Sequence, residues 1–416
     1  MRIQKSLIAV AITLTTHQAL AAGFQINAQS ATGLGRAFAG DAVIADNASV
    51  MARNPAAMSL FDKTSMSLGF ETITTMIDVN DAVYTNANGM TASADYDDAG
   101  DTSVAPNLHL IVPINNKVAV GVSAYSNFGT KTEFDDDYIA SEYGGKTKIL
   151  SLNIGIAASY RIDDQWSIGG GLDAIYGEGT LQRTLSDSIY TGPTDNPTDK
   201  FLNALNGAQA LDIASASGWG FGFNVGTVYE LNKNNRFGLS YHYSPEIEAK
   251  KGSKSVNIPL PDMAEFSGYH RLDNRPFAIH YSIQFIGWST FDKITFKNAS
   301  LNEKPYEWKD GWHYAIGGTY YLNETWTLRA GYMYDESAQD KLTSISVPDS
   351  DRQWFSTGVG YKINEKATID FGFTYLLGKD VDVEENQVRS NTTLSTLTGT
   401  SHADAILMGF QYSRTF

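Results

Sequence analysis

Over long stretches of the chain, side chains of opposite character alternate residue by residue. Between Ile369 and Leu377 one face carries Ile369, Phe371, Phe373, Tyr375 and Leu377, and the other carries Asp370, Gly372, Thr374 and Leu376. Trp219, Phe221, Phe223 and Val225 likewise oppose Gly220, Gly222, Asn224 and Gly226, and Val118, Val120, Val122 and Ala124 oppose Ala119, Gly121, Ser123 and Tyr125. The last such stretch sets Ile406, Met408, Phe410 and Tyr412 against Leu407, Gly409, Gln411 and Ser413, and the chain ends on Phe416. A period of two is that of a β-strand, whose successive side chains point to opposite faces. A soluble sandwich also alternates, but with short, evenly spaced strands. Here the second face is built of Gly, Ser and Ala, as a narrow or filled lumen requires. The pattern predicts an all-β chain whose apolar face meets lipid, a transmembrane β-barrel.

The breaks between strands give their number. Short Asn- and Asp-rich turns occur at 115–116, 162–164, 231–235, 272–274, 322–324 and 363–365. These residues favour turns because their side chains bond the local backbone. Longer polar stretches alternate with them, near 79–102, 129–145, 185–217, 245–258, 298–305, 336–350 and 384–400. Six short turns and seven long loops make fourteen antiparallel strands. Short turns belong in the periplasm and long loops outside. The first strand is expected to begin near Thr64, which leaves residues 22–63 outside the wall. They are rich in Ala, Gly and Ser with scattered Leu34, Phe38, Val43, Ile44, Met51 and Met58, enough apolar content to fold as a plug in the lumen. The loop at 191–217 contains Phe201–Leu205 and Ala208–Ile213, expected as a short amphipathic helix.

Composition agrees with export. Arg2 and Lys5 precede an apolar run from Leu7 to Leu14, and Ala19-Leu20-Ala21 supplies the small residues of a cleavage site, so residues 1–21 read as a secretory signal. No later run approaches the roughly 18 apolar residues of a membrane helix. The formal charge is −15 before Arg2 and Lys5 leave with the signal, which argues against a nucleic-acid partner. There is no cysteine, so an exported protein of this length lacks disulfides. With 22 Tyr, 20 Phe, 7 Trp and 37 Gly, the chain buries too much surface to be disordered.

The mature chain opens Ala22-Gly23-Phe24-Gln25-Ile26-Asn27, followed by Gly33-Leu34-Gly35-Arg36-Ala37-Phe38-Ala39-Gly40, Ala45-Asp46-Asn47 and Arg53-Asn54-Pro55-Ala56. Further on stand Ser126-Asn127-Phe128-Gly129, Trp219-Gly220-Phe221-Gly222, Ser267-Gly268-Tyr269 and Pro348-Asp349-Ser350-Asp351-Arg352. In this order the motifs resemble the FadL family of outer-membrane long-chain fatty acid transporters, over nearly the whole chain. The resemblance implies a 14-stranded barrel (64–416) plugged by an N-terminal hatch (22–63) in the Gram-negative outer membrane. It implies passive uptake, with ligand caught between loops, held in an inner pocket and released sideways beside a kinked third strand. No cofactor or metal is implied. The expected partners are long-chain fatty acids or similar amphiphiles, outer-membrane lipids and lipopolysaccharide, and the barrel assembly machinery, with the chain a monomer. Relatives carry aromatic hydrocarbons, so a neutral substrate is an alternative. An outer-membrane hydrolase and an adhesin or phage receptor are readings of another class.

By the same resemblance Arg183 and Phe24 are ligand-binding residues. Strand parity puts Arg183 with Gly169, Gly171 and Asp173 on the inward face, where it meets either a ligand carboxylate or an acid of the lumen. The family's partner lysine matches Thr295 here, with the candidates Lys293 and Lys297 two residues away on the same face; counted from Ile279, Tyr281, Ile283 and Phe285 that face is lipid-facing, unless a bulge at Trp288-Ser289 resets the phase. Asn54, Pro55 and Ala56 match the hatch signature, and an ordinary turn is the plainer reading. Asn127, Phe128 and Gly129 match the kink beside the lateral opening, or simply end a strand. Gly226 matches a position that keeps this passage clear, or merely permits packing. The histidines at His109, His242, His270, His280, His313 and His402 show no metal-binding spacing, and Asp95, Asp97, Asp98 and Asp101 lack the Glu of a calcium loop, with Pro106 in its place.

Overall fold

The computed structural model describes residues 23–298, 303–389 and 392–416. The signal segment 1–21 lies outside the described residues. Fourteen strands form the wall: β1 (Ser65–Asn86), β2 (Thr102–Pro113), β3 (Val118–Glu133), β4 (Lys146–Arg161), β5 (Trp166–Thr184), β6 (Gln209–Asn232), β7 (Asn235–Tyr243), β8 (Met263–Arg271), β9 (Phe277–Ile286), β10 (Gly311–Tyr321), β11 (Trp326–Asp335), β12 (Arg352–Asn364), β13 (Ala367–Gly378) and β14 (Thr392–Thr415). Each pairs antiparallel with the next, and β14 returns to β1 from Ser65↔Thr415 to Asn86↔Ser395. Closure gives each strand of the wall a neighbour on both sides, since an unpaired backbone group in lipid is costly.

The outer face carries the apolar half of the alternation. Phe221 is 76% exposed, Leu172 64% and Ile156 60%, values that make sense only if lipid is the solvent. All six short turns lie where the Asn and Asp clusters predict. At one of them the Asn323 side chain accepts from the backbone N–H groups of Thr325 and Trp326, both at 2.8 Å. At the other end the loops add their own sheet, in which Glu246–Lys251 pairs with Lys254–Pro259 and the latter with Lys293–Lys297. The helix of the 185–208 connection is Pro197–Asn203, capped by Asn196. Ala208–Ile213 does not extend it. From Gln209 these residues pair with the end of β5 and belong to β6, because ladder bonds to a neighbour outweigh a weak helical period.

Residues 23–61 lie within the wall. Their backbone and side chains bond its inner face on every side: Gly40 N–H to Ser282 Oγ on β9 at 2.9 Å, Ala31 N–H to Gln411 on β14 at 3.1 Å, and Asn54 Nδ2 to the Thr227 carbonyl on β6 at 3.0 Å. His109 on β2 and His242 on β7 reach the carbonyls of Gln29 and Arg53 at 3.0 and 2.9 Å. This explains the small second face of the strands. A Cβ on Gly331 would lie 2.1 Å from the Arg36 carbonyl oxygen, and one on Gly169 2.4 Å from the Ala56 nitrogen. Buried charges tie the segment down: Arg36 pairs with Asp41 at 2.7 Å and Asp46 at 2.9 Å, and Arg53 with Glu265 of β8 at 3.2 Å.

Candidate functional site

The wall is interrupted between β2 and β3. Their ladder runs from Pro113↔Ala119 to Leu108↔Ala124 and stops. Above that level β2 pairs only with β1, up to Thr102↔Thr74, while β3 continues against β4. Between Tyr125↔Asn153 and Gly129↔Leu150, β3 uses one residue more than β4. The extra residue reverses which side chains face out. Asn127, Phe128 and Gly129 make this break, and Phe128 is turned inward and fully buried. The resulting gap encloses about 420 Å³ between Ala105 and Pro106 on one side and Ser126, Gly129 and Leu150 on the other.

Backbone groups freed by such a gap need partners. The N-terminal segment supplies them from inside. Its strand Gln25–Ala28 pairs with β3 at Gln25↔Phe128 and Ala28↔Ser126. Gly129 N–H donates to the Phe24 carbonyl at 3.0 Å, Phe128 N–H to Ser151 Oγ at 3.1 Å, and Gln29 Nε2 to Asn127 Oδ1.

Phe24 itself sits in an aromatic cluster. Its ring lies 4.7 Å from that of Trp288, 5.3 Å from Phe291, 5.8 Å from Trp308 and 6.2 Å from Phe128, three of the four edge-on. Tyr306 closes the cluster against Phe291 at 4.8 Å. Among the described residues Trp288 Nε1, Trp308 Nε1 and Tyr306 OH are buried there without a hydrogen-bond partner. Gly23 is pinned beside them, its N–H donating to Asp349 at 3.0 Å and Arg352 donating to its carbonyl at 3.1 Å. Burial pushes the Asp349 carboxyl above the usual carboxylate range, against the pull of Arg352.

Among the described residues four arginines are buried: Arg36, Arg53, Arg183 and Arg329. Arg36, Arg53 and Arg329 each hold a carboxylate, the last Asp370 at 2.9 Å. Among the described residues Arg183 holds none. It donates to the Lys146 and Gln182 carbonyls at 2.8 and 2.7 Å and to Thr147 Oγ1 at 2.5 Å. Leu181, two positions before it on the same inner face, belongs to one apolar cluster with Phe24, Trp288 and Trp308.

A family model described as outer membrane protein transport protein (OMPP1/FadL/TodX) matches residues 12–416. The chain belongs to this family. It is 37% identical over 426 residues to a long-chain fatty acid transport protein of Escherichia coli O6:H1, covering 92% of this chain and 93% of that one. It is 34% identical over 462 residues to outer membrane protein P1 of Haemophilus influenzae, covering all of both. Among solved structures, a Pseudomonas aeruginosa FadL homologue matches with a TM-score of 0.83 at 22% identity, over 95% of this chain and 100% of that chain. The Pseudomonas putida toluene transporter TodX matches at 0.65 and 18%, over 95% and 100%. Both share the fold. The FadL-family chain is thus an outer-membrane β-barrel transport protein.

In this FadL-family barrel the two lysines do not join Arg183. Lys293 and Lys297 are 45% and 67% exposed and pair with Glu303 at 2.8 Å and Glu248 at 3.3 Å. The wall leaves β9 at Ile286, a helical turn at Trp288–Thr290 follows, and Lys293–Lys297 then runs in the loop sheet with Ile294 and Phe296 buried. Parity counted along β9 therefore does not carry past Gly287. The aromatic residues of this same connection, Trp288, Phe291, Tyr306 and Trp308, escape the sequence reading because irregular backbone has no period. Their density over 288–308 was the available signal.

Gly226 is corrected as well. It lies on β6, three strands from β3, paired with Gly169 and Ser240. A Cβ there would lie 2.1 Å from Asn54 Oδ1. The glycine therefore seats the N-terminal segment and does not border the gap. Gly226→Glu is expected to unseat the turn at 54–60, speeding hydrogen exchange there and lowering ligand binding and uptake together. Unaltered exchange at 54–60 would refute this role.

Asn54 caps the turn Pro55–Leu60, its Oδ1 accepting from Ala56 N–H at 3.0 Å while Nδ2 reaches the wall. Loss of such a cap costs about 1 kcal/mol. Asn54→Ala is expected to lower uptake while the barrel stays folded and heat-modifiable on gels; full uptake at normal surface level would remove the cap from the account.

Proposed function

We propose that the protein takes up long-chain fatty acids passively across the outer membrane. The carboxylate rests on Arg183, the chain lies among Phe24, Trp288, Phe291 and Trp308, and release is sideways through the gap between β2 and β3. The observation that carries this reading is Arg183. A buried guanidinium without a carboxylate is expensive; here Leu181 on the same face belongs to an apolar cluster, while the three other arginines buried among the described residues are all paired. A fatty acid supplies both missing parts. Burying about sixteen methylenes at ~0.8 kcal/mol each gives roughly 12 kcal/mol gross, most of it offset by ordering and desolvation, which leaves release feasible.

Residues 22–63 act as the hatch in this reading, with the strand at Gln25–Ala28 closing the gap from inside. The chain works as a monomer inserted by the barrel assembly machinery, with lipids and lipopolysaccharide around its outer face. Its task is transport, not catalysis. The test is titration of the purified protein with a labelled long-chain fatty acid. Saturable binding is expected; no saturable binding, or lipase or protease activity in the same preparation, would overturn the reading.

A further inference from the structure

The outer wall below the gap bears a shaped surface of its own. The lipid-facing column of β4 reads Lys148, Leu150, Leu152, Ile154, Ile156 and Ala158. At its top, Lys148 stands opposite Lys131 of β3, and both border the gap. At its bottom, Ala158 is part of an apolar groove of about 770 Å³ that opens to lipid. The groove has small residues at its floor, Ala158 paired with Gly170 of β5, and large ones around it, Val120, Leu172, Phe223 and Val225. A Cβ on Gly170 would meet nothing nearer than the Asn224 carbonyl oxygen at 3.5 Å, so the depression is open outward. Among the described residues no charged side chain borders it. Ala124 and Ile154, paired across β3 and β4, connect groove and gap.

The two ends differ in chemistry. Lys131 pairs with Asp101 and Glu133, and Lys148 with Glu178 at 3.0 Å, all half-exposed contacts. Such pairs hold little energy, so an incoming carboxylate can replace one of these acids. Everything below is hydrocarbon. From Lys148 to Ala158 the column runs roughly 33 Å at about 3.3 Å per residue, from the long-loop half of the wall towards the short turns.

We propose that this face is an exit track for a monoanionic, single-chain amphiphile: with the headgroup at Lys131 and Lys148 its alkyl tail lies over Ala124 and Ile154, and the tail enters the Ala158–Gly170 groove as the headgroup leaves the lysines. The track rests on the sideways-release reading. It keeps the tail on the protein while the headgroup clears the gap, and it guides the tail towards the periplasmic half of the bilayer. Charge at one end, hydrocarbon at the other, and continuity with the gap on β3 and β4 fit one tail with one negative charge.

The test fills the groove from the lipid side. The double variant Ala158→Trp with Gly170→Trp changes outward positions only, and Thr357→Trp on the outer face of β12 is the control. The double variant is expected to slow uptake severalfold with binding to purified protein unchanged, and the control to behave as wild type. In wild-type outer-membrane vesicles, a fatty acid with a terminal diazirine is expected to label the β4–β5 segment around Ala158 and Gly170. Equal labelling by a diazirine phosphatidylethanolamine, or unslowed uptake in the double variant, would overturn the track. Comparison with Gly129→Trp, which blocks the gap itself, separates the two readings. If that variant stops uptake and the filled groove does not slow it, the track alone is wrong. If uptake survives Gly129→Trp, sideways release is wrong and the track falls with it.

Discussion

Arg183→Met is expected to weaken binding of a long-chain fatty acid roughly tenfold to a hundredfold and to leave binding of its methyl ester unchanged. A charge-assisted hydrogen bond is worth about 1.5–3 kcal/mol, and about 1.4 kcal/mol is a factor of ten in affinity. Methionine keeps the apolar stem and removes the charge. The substitution orphans no acid, since Arg183 holds none among the described residues, so the barrel should keep its stability. Arg53→Met makes the contrast. It would leave Glu265 buried without its partner at 3.2 Å, and breaking a buried pair costs about 3–5 kcal/mol. Paired titrations of acid and ester read the difference. An equal loss for both ligands would make Arg183 a structural residue, and no loss for either would favour a neutral hydrocarbon as substrate.

What the sequence made legible follows from where the information lies. Outward Ile369, Phe371 and Phe373 alternate strictly because lipid touches every second residue, and the Asn and Asp turns act within a few residues of themselves. The wall and its strand number depend on such local signals alone. The inward direction of Arg183 was legible for the same reason, because β5 runs without a bulge of its own from Trp166 to Thr184. The break at Asn127–Gly129 was named by likeness of three residues. Its cause, an extra residue in β3 and a missing ladder to β2, exists only in the register. Gly226 shows the limit from another side. A glycine on an inner face signals that something comes close, but not what. Its neighbour Asn54 bonds Thr227 across 173 positions of chain. Lys293 and Lys297 were named by likeness to a family position, and a period of two, which holds only within one strand, could not place them because theirs is a different strand from β9.

The proposed sideways exit would make this barrel something other than a pore. A long alkyl chain is insoluble in the periplasm for the same reason that it binds in the lumen, so delivery into the bilayer avoids the step that water would oppose. Gly129 is the position at which to test this. It faces the gap, and a Cβ there would meet only Ile26 Cδ1 at 3.5 Å and the Ile149 carbonyl oxygen at 3.7 Å, ordinary contacts that leave the backbone undisturbed. Its N–H bond to the Phe24 carbonyl survives any side chain. A tryptophan would therefore fold in place and fill the opening. The decisive measurement is the initial rate of labelled fatty-acid uptake by cells carrying Gly129→Trp, at matched surface level and beside the affinity of the same purified variant. Near-complete loss of uptake with wild-type affinity is the expected result. Undiminished uptake, or loss of affinity together with uptake, would contradict release through the wall.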